Sequence, residues 1–318
     1  MVKYLKERGD FMCTVVTKEN YIGRTLDYEC SFGEQLVILP KGYLFGLIHE
    51  GEIRSKHRIM GICHIAEGVP LFYEGINDSG VGAYALNFPG YACYDKAREG
   101  KLNLASFEVI SYILSLASSL DAALKMLNAL HITDDSFSDN LPPTPMHWLI
   151  ADTEGSAVIE PLTGGVEICK NPVGVLTNSP PLDYHLTRLS EIISLHPRTP
   201  ENRLFKNENQ PPYSRGMGAI GLPGDFSSVS RFLRAAFVKN NTVTSDEGEI
   251  ESLFHIMDSV AVPLGCSLSE SGEPVSTIYT SVSDLDRGMY YYTTYKSRKI
   301  KSISFDMGLN DRMQVFDI

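Results

Sequence analysis

The sequence has few of the features that mark metal sites, disulfide scaffolds or membrane proteins. Its six cysteines are scattered without a C-x-x-C pair, and its eight histidines include no H-x-x-x-H pair. This spacing favours free thiols in a reducing compartment and no metal site. No apolar run approaches the roughly 18 residues that span a bilayer, and no apolar segment typical of a secretory signal opens the chain. We therefore expect a cytoplasmic protein without a metal ion and without stable membrane insertion.

Positive charge is also scarce. The formal net charge is -11 and the isoelectric point is near 5.2, so the chain as a whole repels polyanions. The longest basic cluster, residues 296–301, is typical of the solvated end of a strand pair. The sequence thus predicts a protein that does not bind nucleic acid, while 318 residues with 43% hydrophobic content are enough for a large core.

The order of the predicted elements indicates layered sheets rather than alternating strands and helices. Strands dominate the first third, helices follow at residues 105–116 and 120–130, and strands return between residues 147 and 177. Three helices are predicted at residues 182–195, 229–238 and 250–260, and strands end the chain. This order favours an α+β protein with two stacked antiparallel sheets covered by helices, an αββα sandwich. No linker is evident, so residues 13–318 are expected to form one domain.

One local motif suggests a different class of protein, and two others mark a helix start and a loop. Residues 216–221 match the G-x-G-x-x-G pattern of dinucleotide-binding enzymes, but prolines precede and follow the match where a strand and a helix are needed. We therefore expect a loop and no nicotinamide or flavin cofactor. Ser118 and Asp121 are placed to form a capping box at the start of the second helix. Residues 201–214 are polar and contain prolines, which predicts a long loop.

Cys13 is the candidate nucleophile. It directly follows Met12, so after removal of the preceding residues it would carry a thiol and a free α-amine, a nucleophile and a base on one residue. Arg24 could promote the thiolate at neutral pH, and Asp27 could orient the ammonium. Because Arg24 and Asp27 are three positions apart, a regular strand would direct them to opposite faces, and we expect the chain to bend between them.

The segment before Cys13 has two possible explanations. Residues 6–10 can be back-translated into an almost unbroken purine run, which resembles a ribosome-binding site ahead of a start codon at Met12. Residues 1–11 would then be untranslated sequence, and the initiator Met12 would be clipped because cysteine is small. The alternative is a propeptide removed by self-cleavage at the Met12–Cys13 bond. In both cases residues 1–12 are expected to be absent from the mature enzyme.

Three further polar residues stand where predicted strands or helices begin or end. Asn178 and Asn87 each end an apolar strand at a proline turn, and Arg231 stands at the start of a predicted helix. By propensity alone, the asparagines are typical of Asx turns and the arginine of a solvated surface. Their sequence positions therefore do not establish a function.

Six blocks of the sequence, in order, resemble the choloylglycine hydrolases, the family of bile salt hydrolases and penicillin V acylases within the N-terminal nucleophile hydrolases. The blocks are Met12-Cys13-Thr14, GRTLD at 23–27, LNFP at 86–89, HWLIAD at 147–152, GVLTNSP at 174–180, and GLPGDF at 221–226 with SRF at 230–232. The resemblance implies an αββα fold, no metal or organic cofactor, and a homotetramer.

The resemblance also implies a role for each candidate catalytic residue. Cys13 is the nucleophile, Arg24 and Asp27 flank its thiol and amine, Asn178 and Asn87 form the oxyanion site, and Arg231 assists charge stabilisation. The amide carbonyl would be attacked by the thiolate, and the amine would pass a proton to the leaving group.

The implied substrate is an amphipathic anion, a taurine- or glycine-conjugated bile salt. Asn87 resembles the residue of bile salt hydrolases rather than the tyrosine more frequent in penicillin V acylases, which leaves penicillin V or another N-acyl amide as the alternative substrate. Arg215 lies in a block that resembles a loop variant linked to taurine conjugates, and its guanidinium can pair with a sulfonate. Leu26, Phe72 and Leu141 are candidate apolar contacts. If Cys13 keeps an acylated nitrogen, the chain would instead be a catalytically silent amphipath-binding protein.

Overall fold

A computed structural model describes residues 12–202, 211–243, 248–307 and 311–318, so the segment 1–11 lies outside the described residues. Most of the described elements are strands. In the first half they are β1 (Met12–Lys18), β2 (Tyr21–Tyr28), β3 (Gln35–Leu39), β4 (Leu44–Leu47), β5 (Gly51–Arg54), β6 (Ile59–Ala66), β7 (Val69–Asn77), β8 (Gly82–Asn87), β9 (Leu102–Ala105) and β10 (Leu130–Thr133). In the second half they are β11 (Met146–Asp152), β12 (Gly155–Leu162), β13 (Gly165–Lys170), β14 (Val175–Leu176), β15 (Ser267–Leu268), β16 (Pro274–Asp284), β17 (Met289–Thr294), β18 (Ser297–Ser304) and β19 (Gln314–Asp317).

The helices cover the outer faces of the sheets. They are α1 (Val109–Leu116), α2 (Leu120–Met126), α3 (Leu182–Arg188), α4 (Ser228–Asn241) and α5 (Glu249–Asp258). The sequence of α1 is almost wholly apolar, and this helix lies against β7 and β8. In α4 and α5 one apolar face is buried against β1, β2 and β16.

Two large sheets form the centre of the molecule. One has the strand order β14-β1-β2-β16-β17-β18, with β15 beside β16, and the other has the order β13-β12-β11-β8-β7-β6-β3-β19. Their named pairs are antiparallel, whereas the small β9–β10 pair is parallel. The first sheet places β1, which carries Cys13, between β14 and β2.

Alternation along β3 shows how the layers are built. Leu36 and Ile38 belong to the core between the two sheets, whereas Val37 and Leu39 belong to the core beneath α1 and α2. A strand buried on both faces in this way needs apolar residues at every position. The order from outside to outside is helix, sheet, sheet, helix, which confirms the predicted αββα sandwich.

Several local predictions were wrong. The side chain of Ser119, and not that of Ser118, caps α2 by accepting a hydrogen bond from the Ala122 backbone N–H. The second predicted helix ends at Met126 rather than at residue 130, and its last apolar residues belong to β10. Short apolar runs do not distinguish a helix end from a buried strand, and pairing with β9 decides the outcome here.

Candidate active site

Cys13 lies near the beginning of β1 and is 1% exposed. Three groups that are distant in sequence contact it. The Arg24 Nη2 donates to Cys13 Sγ at 3.4 Å, the Cys13 backbone N–H donates to Asn178 Oδ1 at 2.9 Å, and Arg231 Nη1 donates to the Cys13 carbonyl at 2.6 Å. The structure therefore brings the predicted nucleophile together with its predicted partners, while Met12 is still joined to it.

The expected bend between Arg24 and Asp27 is wrong, because β2 is regular. It pairs residue by residue with β1, from Met12 opposite Asp27 to Lys18 opposite Tyr21. The irregularity lies instead in β16, between Thr277 and Tyr279. Arg24 reaches the Cys13 thiol with its side chain, and Asp27 reaches it with a backbone hydrogen bond. The side chains of Arg24 and Asp27 can therefore lie on opposite faces of β2 while both residues contact the same cysteine.

The Asp27 carboxyl is fully buried and is held by hydroxyl groups. Thr25 Oγ1 donates to Asp27 Oδ2 at 3.1 Å, and Thr277 Oγ1 donates to Asp27 Oδ1 at 2.5 Å. Burial raises the pKa of Asp27 to about 6, although the Arg231 charge and the threonine hydroxyls act in the opposite direction. Asp27 therefore changes its protonation state close to neutral pH.

Burial also dominates the electrostatics of the thiol. It raises the pKa of Cys13, and the positive charge of Arg24 offsets this effect in part. The sequence had suggested that Arg24 makes a thiolate at neutral pH, but desolvation outweighs it while Met12 is joined and the nitrogen is an uncharged amide. A nearby base is needed to take the proton, and a free α-amine on the same residue would be such a base.

Asn178 follows β14 and connects the parts of the site. Besides accepting from Cys13, its Oδ1 accepts from Arg231 Nη2 at 2.7 Å, and its Nδ2 donates to the Asn87 carbonyl at 2.9 Å. The amide nitrogen carries a second N–H, which is suitable for an oxyanion. The two predicted asparagines therefore lie side by side, and Asn87 faces the cavity described below.

Arg231 lies in the first turn of α4 and is completely buried. Its guanidinium donates to Thr14 Oγ1 at 2.7 Å and to the Phe226 carbonyl at 2.9 Å, in addition to Cys13 and Asn178. The surface arginine that propensity alone suggested is therefore excluded. Burial lowers its pKa, while the nearby Asp27 charge opposes this effect.

Besides the threonines described above, two ionisable partners of the site were not predicted from the sequence. Glu74 of β7 is 0% exposed and forms an ion pair with Arg24 at 2.9 Å. His185 of α3 donates from Nε2 to the Asn178 carbonyl at 2.9 Å, and burial lowers its pKa to about 4, so it is neutral. The only signal for Glu74 was a carboxylate within an otherwise largely apolar strand. Nothing in the sequence pointed to His185.

An apolar cavity of about 230 Å³ opens beside the thiol. Leu26, Phe72 and Leu141, the three apolar residues proposed from the sequence, line it together with Cys13, Arg24 and Asn87. Other lining residues include Phe32, Leu71, Phe107, Phe137 and Met146. The Cys13 sulfur therefore borders a space that suits an apolar group.

A second cavity, of about 460 Å³, lies on the amino side of Cys13 and is more polar. Met12, Asn178, Asp225 and Arg231 are among its lining residues. Arg215 is exposed and is not among the residues that line either cavity in the described part of the chain. Its predicted contact with the substrate therefore has no support from its position, and the neighbouring residues 203–210 lie outside the described residues.

The structure also bears on the glycine motif, on metal binding and on membrane-spanning helices. Residues 217–219 of the glycine motif form a 3₁₀ turn, and the described residues directly before it, 211–216, contain no strand. This arrangement is incompatible with a dinucleotide fingerprint. Among the residues that the structure covers, no group of three or more His, Cys, Asp or Glu side chains could hold a metal ion. None of the helices described is both long and apolar enough to cross a membrane.

Comparison with known proteins agrees with this geometry. A family model described as linear amide C–N hydrolases, choloylglycine hydrolase family, matches residues 12–314. A bile salt hydrolase/transferase of Lactiplantibacillus plantarum is 40% identical over 300 residues, which cover 93% of each protein. The crystal structure of a mutant conjugated bile acid hydrolase from Clostridium perfringens matches with a TM-score of 0.90 at 30% identity, over 96% of this chain and 97% of that one.

A more distant neighbour supports the fold. The penicillin V acylase of Agrobacterium tumefaciens has a TM-score of 0.74 at 21% identity, over 96% of this chain and 91% of that one. At this identity the likeness extends to the fold alone. The N-terminal nucleophile hydrolase fold implied by the sequence resemblance is confirmed.

Proposed function

Because the chain belongs to the choloylglycine hydrolase family of linear amide C–N hydrolases, we propose that it hydrolyses the amide bond of taurine- or glycine-conjugated bile salts. The observation that carries this proposal is the position of Cys13, whose thiol faces an apolar cavity while its nitrogen and carbonyl are held by Asn178 and Arg231. An apolar acyl group and a polar leaving group suit the two sides of this residue.

In the proposed reaction, Cys13 acts as the nucleophile once its nitrogen is a free amine. The amine takes the thiol proton, and the sulfur forms a bond to the amide carbonyl carbon. The negative charge that develops on the carbonyl oxygen is stabilised by N–H groups of Asn178 and Asn87. The protonated amine then gives its proton to the leaving nitrogen, the C–N bond breaks, and a thioester remains.

Water completes the cycle. The amine takes a proton from a water molecule, the hydroxide attacks the thioester carbonyl, and the C–S bond breaks to release the bile acid and restore the thiol. Arg24 stabilises negative charge on the sulfur during both steps, and Arg231 fixes the backbone of Cys13. Asp27 orients the α-ammonium from the neighbouring strand.

This reaction requires removal of residues 1–12, either by initiation at Met12 followed by clipping or by self-cleavage of a propeptide. The family model also matches from residue 12. A chain that keeps these residues would have an acylated nitrogen at Cys13 and no base for the thiol. It would then be the amphipath-binding protein considered above.

The decisive experiment compares polypeptides that begin at Met1, Met12 and Cys13. We expect taurine release from taurocholate by every preparation in which mass spectrometry finds Cys13 at the N-terminus, and none where its nitrogen is acylated. The Cys13→Ser variant should lose at least about a hundredfold in kcat, because the alcohol has a far higher pKa than the thiol. Full activity with an acylated Cys13 would refute the mechanism.

A parallel assay defines the substrate. Taurocholate, glycocholate and penicillin V are offered to the same preparation, and we expect kcat/KM to be highest for a bile salt conjugate. A higher value for penicillin V would replace bile salts with the alternative substrate. Cytoplasmic location and assembly as a homotetramer stay predictions, which cell fractionation and analytical ultracentrifugation would test.

A further inference from the structure

Arg24 is the cation beside the thiol, and its position depends on groups outside the predicted site. The Nη2 atom contacts Cys13 Sγ, whereas Nη1 donates to Glu74 Oε2 and to the Tyr73 carbonyl, both at 2.9 Å. A long arginine side chain has several rotamers, so one contact to sulfur would not hold it. The two contacts at Nη1 fix the plane of the guanidinium and thereby the direction of Nη2.

Glu74 is itself firmly held. Its second oxygen, Oε1, accepts a hydrogen bond from Ser281 Oγ at 2.5 Å and another from the Tyr290 hydroxyl. Burial and the adjacent Glu74 charge keep the pKa of Tyr290 well above its ordinary value, so the phenol stays protonated and donates. These three residues come from β7, β16 and β17, which means that both large sheets take part in holding Arg24.

A buried ion pair of this kind is weak evidence for stability, because desolvation of two charges offsets most of their attraction. Residues of the same volume without charge would fill the space at similar or lower cost. The pair is therefore better explained by its contact with the thiol than by its contribution to folding.

We propose that Glu74 is the positioning residue of Arg24, which directs Nη2 at the Cys13 sulfur and offsets part of the guanidinium charge there. The inference rests on the proposed function for its use in catalysis, because Cys13 must be the nucleophile. The positioning itself is a property of the thiol and can be measured without substrate.

Two substitutions at Glu74 should have opposite effects on the Cys13 thiol. Glu74→Gln keeps an acceptor for Arg24 Nη1 and removes the negative charge, and the Ser281 and Tyr290 hydroxyls can turn to accept from the new amide. The thiolate should then form at lower pH, by on the order of one pH unit. Glu74→Leu removes the same charge and also the acceptor, so the guanidinium loses its anchor. We expect this loss of position to outweigh the loss of charge, so that the thiolate forms at higher pH than in the parent and in Glu74→Gln.

Other ionisable groups face the thiol and must be considered in this titration. Asp27 on β2 raises the pKa of Cys13, Arg24 lowers it, and Arg231 on α4 and Tyr279 on β16 are also coupled electrostatically to this region. All of them are unchanged in both variants. The difference between a variant and its parent therefore isolates the effect of Glu74.

The experiment measures the rate of iodoacetamide alkylation at Cys13 as a function of pH, with the modified peptide identified by mass spectrometry. Parent and variants are compared with the same N-terminal residue, checked by mass spectrometry, because a free α-amine on Cys13 would itself shift the titration of the thiol. We expect the midpoint to move down in Glu74→Gln and up in Glu74→Leu. If the leucine variant does not fold, Glu74→Ala takes its place. A midpoint in that variant at or below that of Glu74→Gln overturns the positioning role, and a midpoint unchanged or higher in Glu74→Gln overturns the charge effect.

A matched control comes from Glu108, a second buried glutamate, which accepts from the backbone N–H groups of Ile48 and Ala105 and does not contact Arg24. Glu108→Gln should lower stability without moving the alkylation midpoint. Absence of bile salt hydrolysis in the parent protein would refute the proposed function and leave this titration valid. The two failures are therefore distinguishable.

Discussion

Asp27 and His185 are buried ionisable residues whose pKa values are shifted in opposite directions from their ordinary ones. The pKa of Asp27 is raised from 3.8 to about 6, and that of His185 is lowered from 6.5 to about 4, in both cases mainly by burial. The folded protein binds more protons than the unfolded chain at Asp27 and fewer at His185. Their effects on stability therefore oppose each other between about pH 4 and 6.

The Asp27→Asn variant exposes one of these effects. A raised carboxyl pKa means that stability is lost as the pH rises from 3.8 through 6, and an amide has no such loss. With Met12 attached, the free energy of unfolding of the variant should exceed that of the parent by on the order of 2–3 kcal/mol at pH 7. At pH 4 the two values should be nearly equal. Denaturant titrations at both pH values measure this difference.

The same substitution should lower the hydrolytic activity of the mature enzyme, because the α-ammonium loses its anionic partner. Variants that are more stable and less active are expected where a buried charge that costs stability serves function. An Asp27→Asn protein that is less stable than its parent at pH 7 would contradict the assigned pKa.

Sequence motifs identified the residues that contact Cys13, but not the residues that keep those contacts in position. Arg24, Asn178 and Arg231 were found because they stand in blocks that resemble a family. Glu74 and Thr277 were not found, because their roles depend on which strands become neighbours. No local sequence pattern shows that β2 pairs with β16 or that β7 lies beside Arg24.

Among the elements, α4 has a special role because its first turn carries Arg231. Ser227 caps this helix by accepting from the Ser230 N–H, and Asp225 accepts from the Ser227 N–H and the Ser230 hydroxyl. These contacts fix the direction in which α4 leaves the preceding loop. The position of Arg231 against the Cys13 carbonyl depends on that direction.

The Ser227→Ala variant should therefore lower both stability and kcat. Loss of an N-cap costs about 1 kcal/mol, and a displaced Arg231 should reduce kcat by roughly tenfold. Ser119→Ala is the matched control, since Ser119 caps α2 and accepts from Ala122 in the same way. Thermal denaturation and taurocholate hydrolysis are measured for both. Equal effects of the two variants on kcat would show that the α4 cap has no specific role.

Long apolar patterns located helices, although not always their ends, whereas some short strands were not predicted. The helix at residues 229–238 was found because its apolar residues recur over ten positions. The strands β4 and β5 were missed because each has only four residues, and β5 has no buried residue. Their pairing with each other, rather than their composition, makes them strands.

For the molecule as a whole, charge is the property that acts over the longest distance. The chain carries a net charge of -11, whereas the proposed substrate is an anion. Repulsion between them slows their encounter, and salt screens it with a Debye length that falls from about 30 Å at 0.01 M to about 8 Å at 0.15 M.

We therefore expect kcat/KM for taurocholate to rise about two- to threefold between these salt concentrations, because association becomes faster. An uncharged N-acyl amide substrate provides the control, and its kcat/KM should change little. Stopped-flow or initial-rate measurements below KM are suitable. A decrease with salt for taurocholate would indicate that local cations outweigh the net charge in guiding the substrate.

The layered architecture was predictable from the order of strands and helices, whereas the order of strands within each sheet was not. β2 pairs with β16, about 250 residues later in the chain. Such pairing depends on the fit of whole faces after collapse. The register that places Thr277 at Asp27 could not have been obtained from periodicity.

Met12 occupies the first rung of the β1–β2 ladder, opposite Asp27, and borders the polar cavity. With this residue in place, the contacts of Cys13 with Arg24, Asn178 and Arg231 are already formed. Removal of Met12 would thus delete one residue pair of the β1–β2 ladder and convert the Cys13 amide nitrogen into an amine, while the neighbouring side chains keep their positions. If residues 1–12 are removed as we propose, activation would change the chemistry at Cys13 without moving the residues around it.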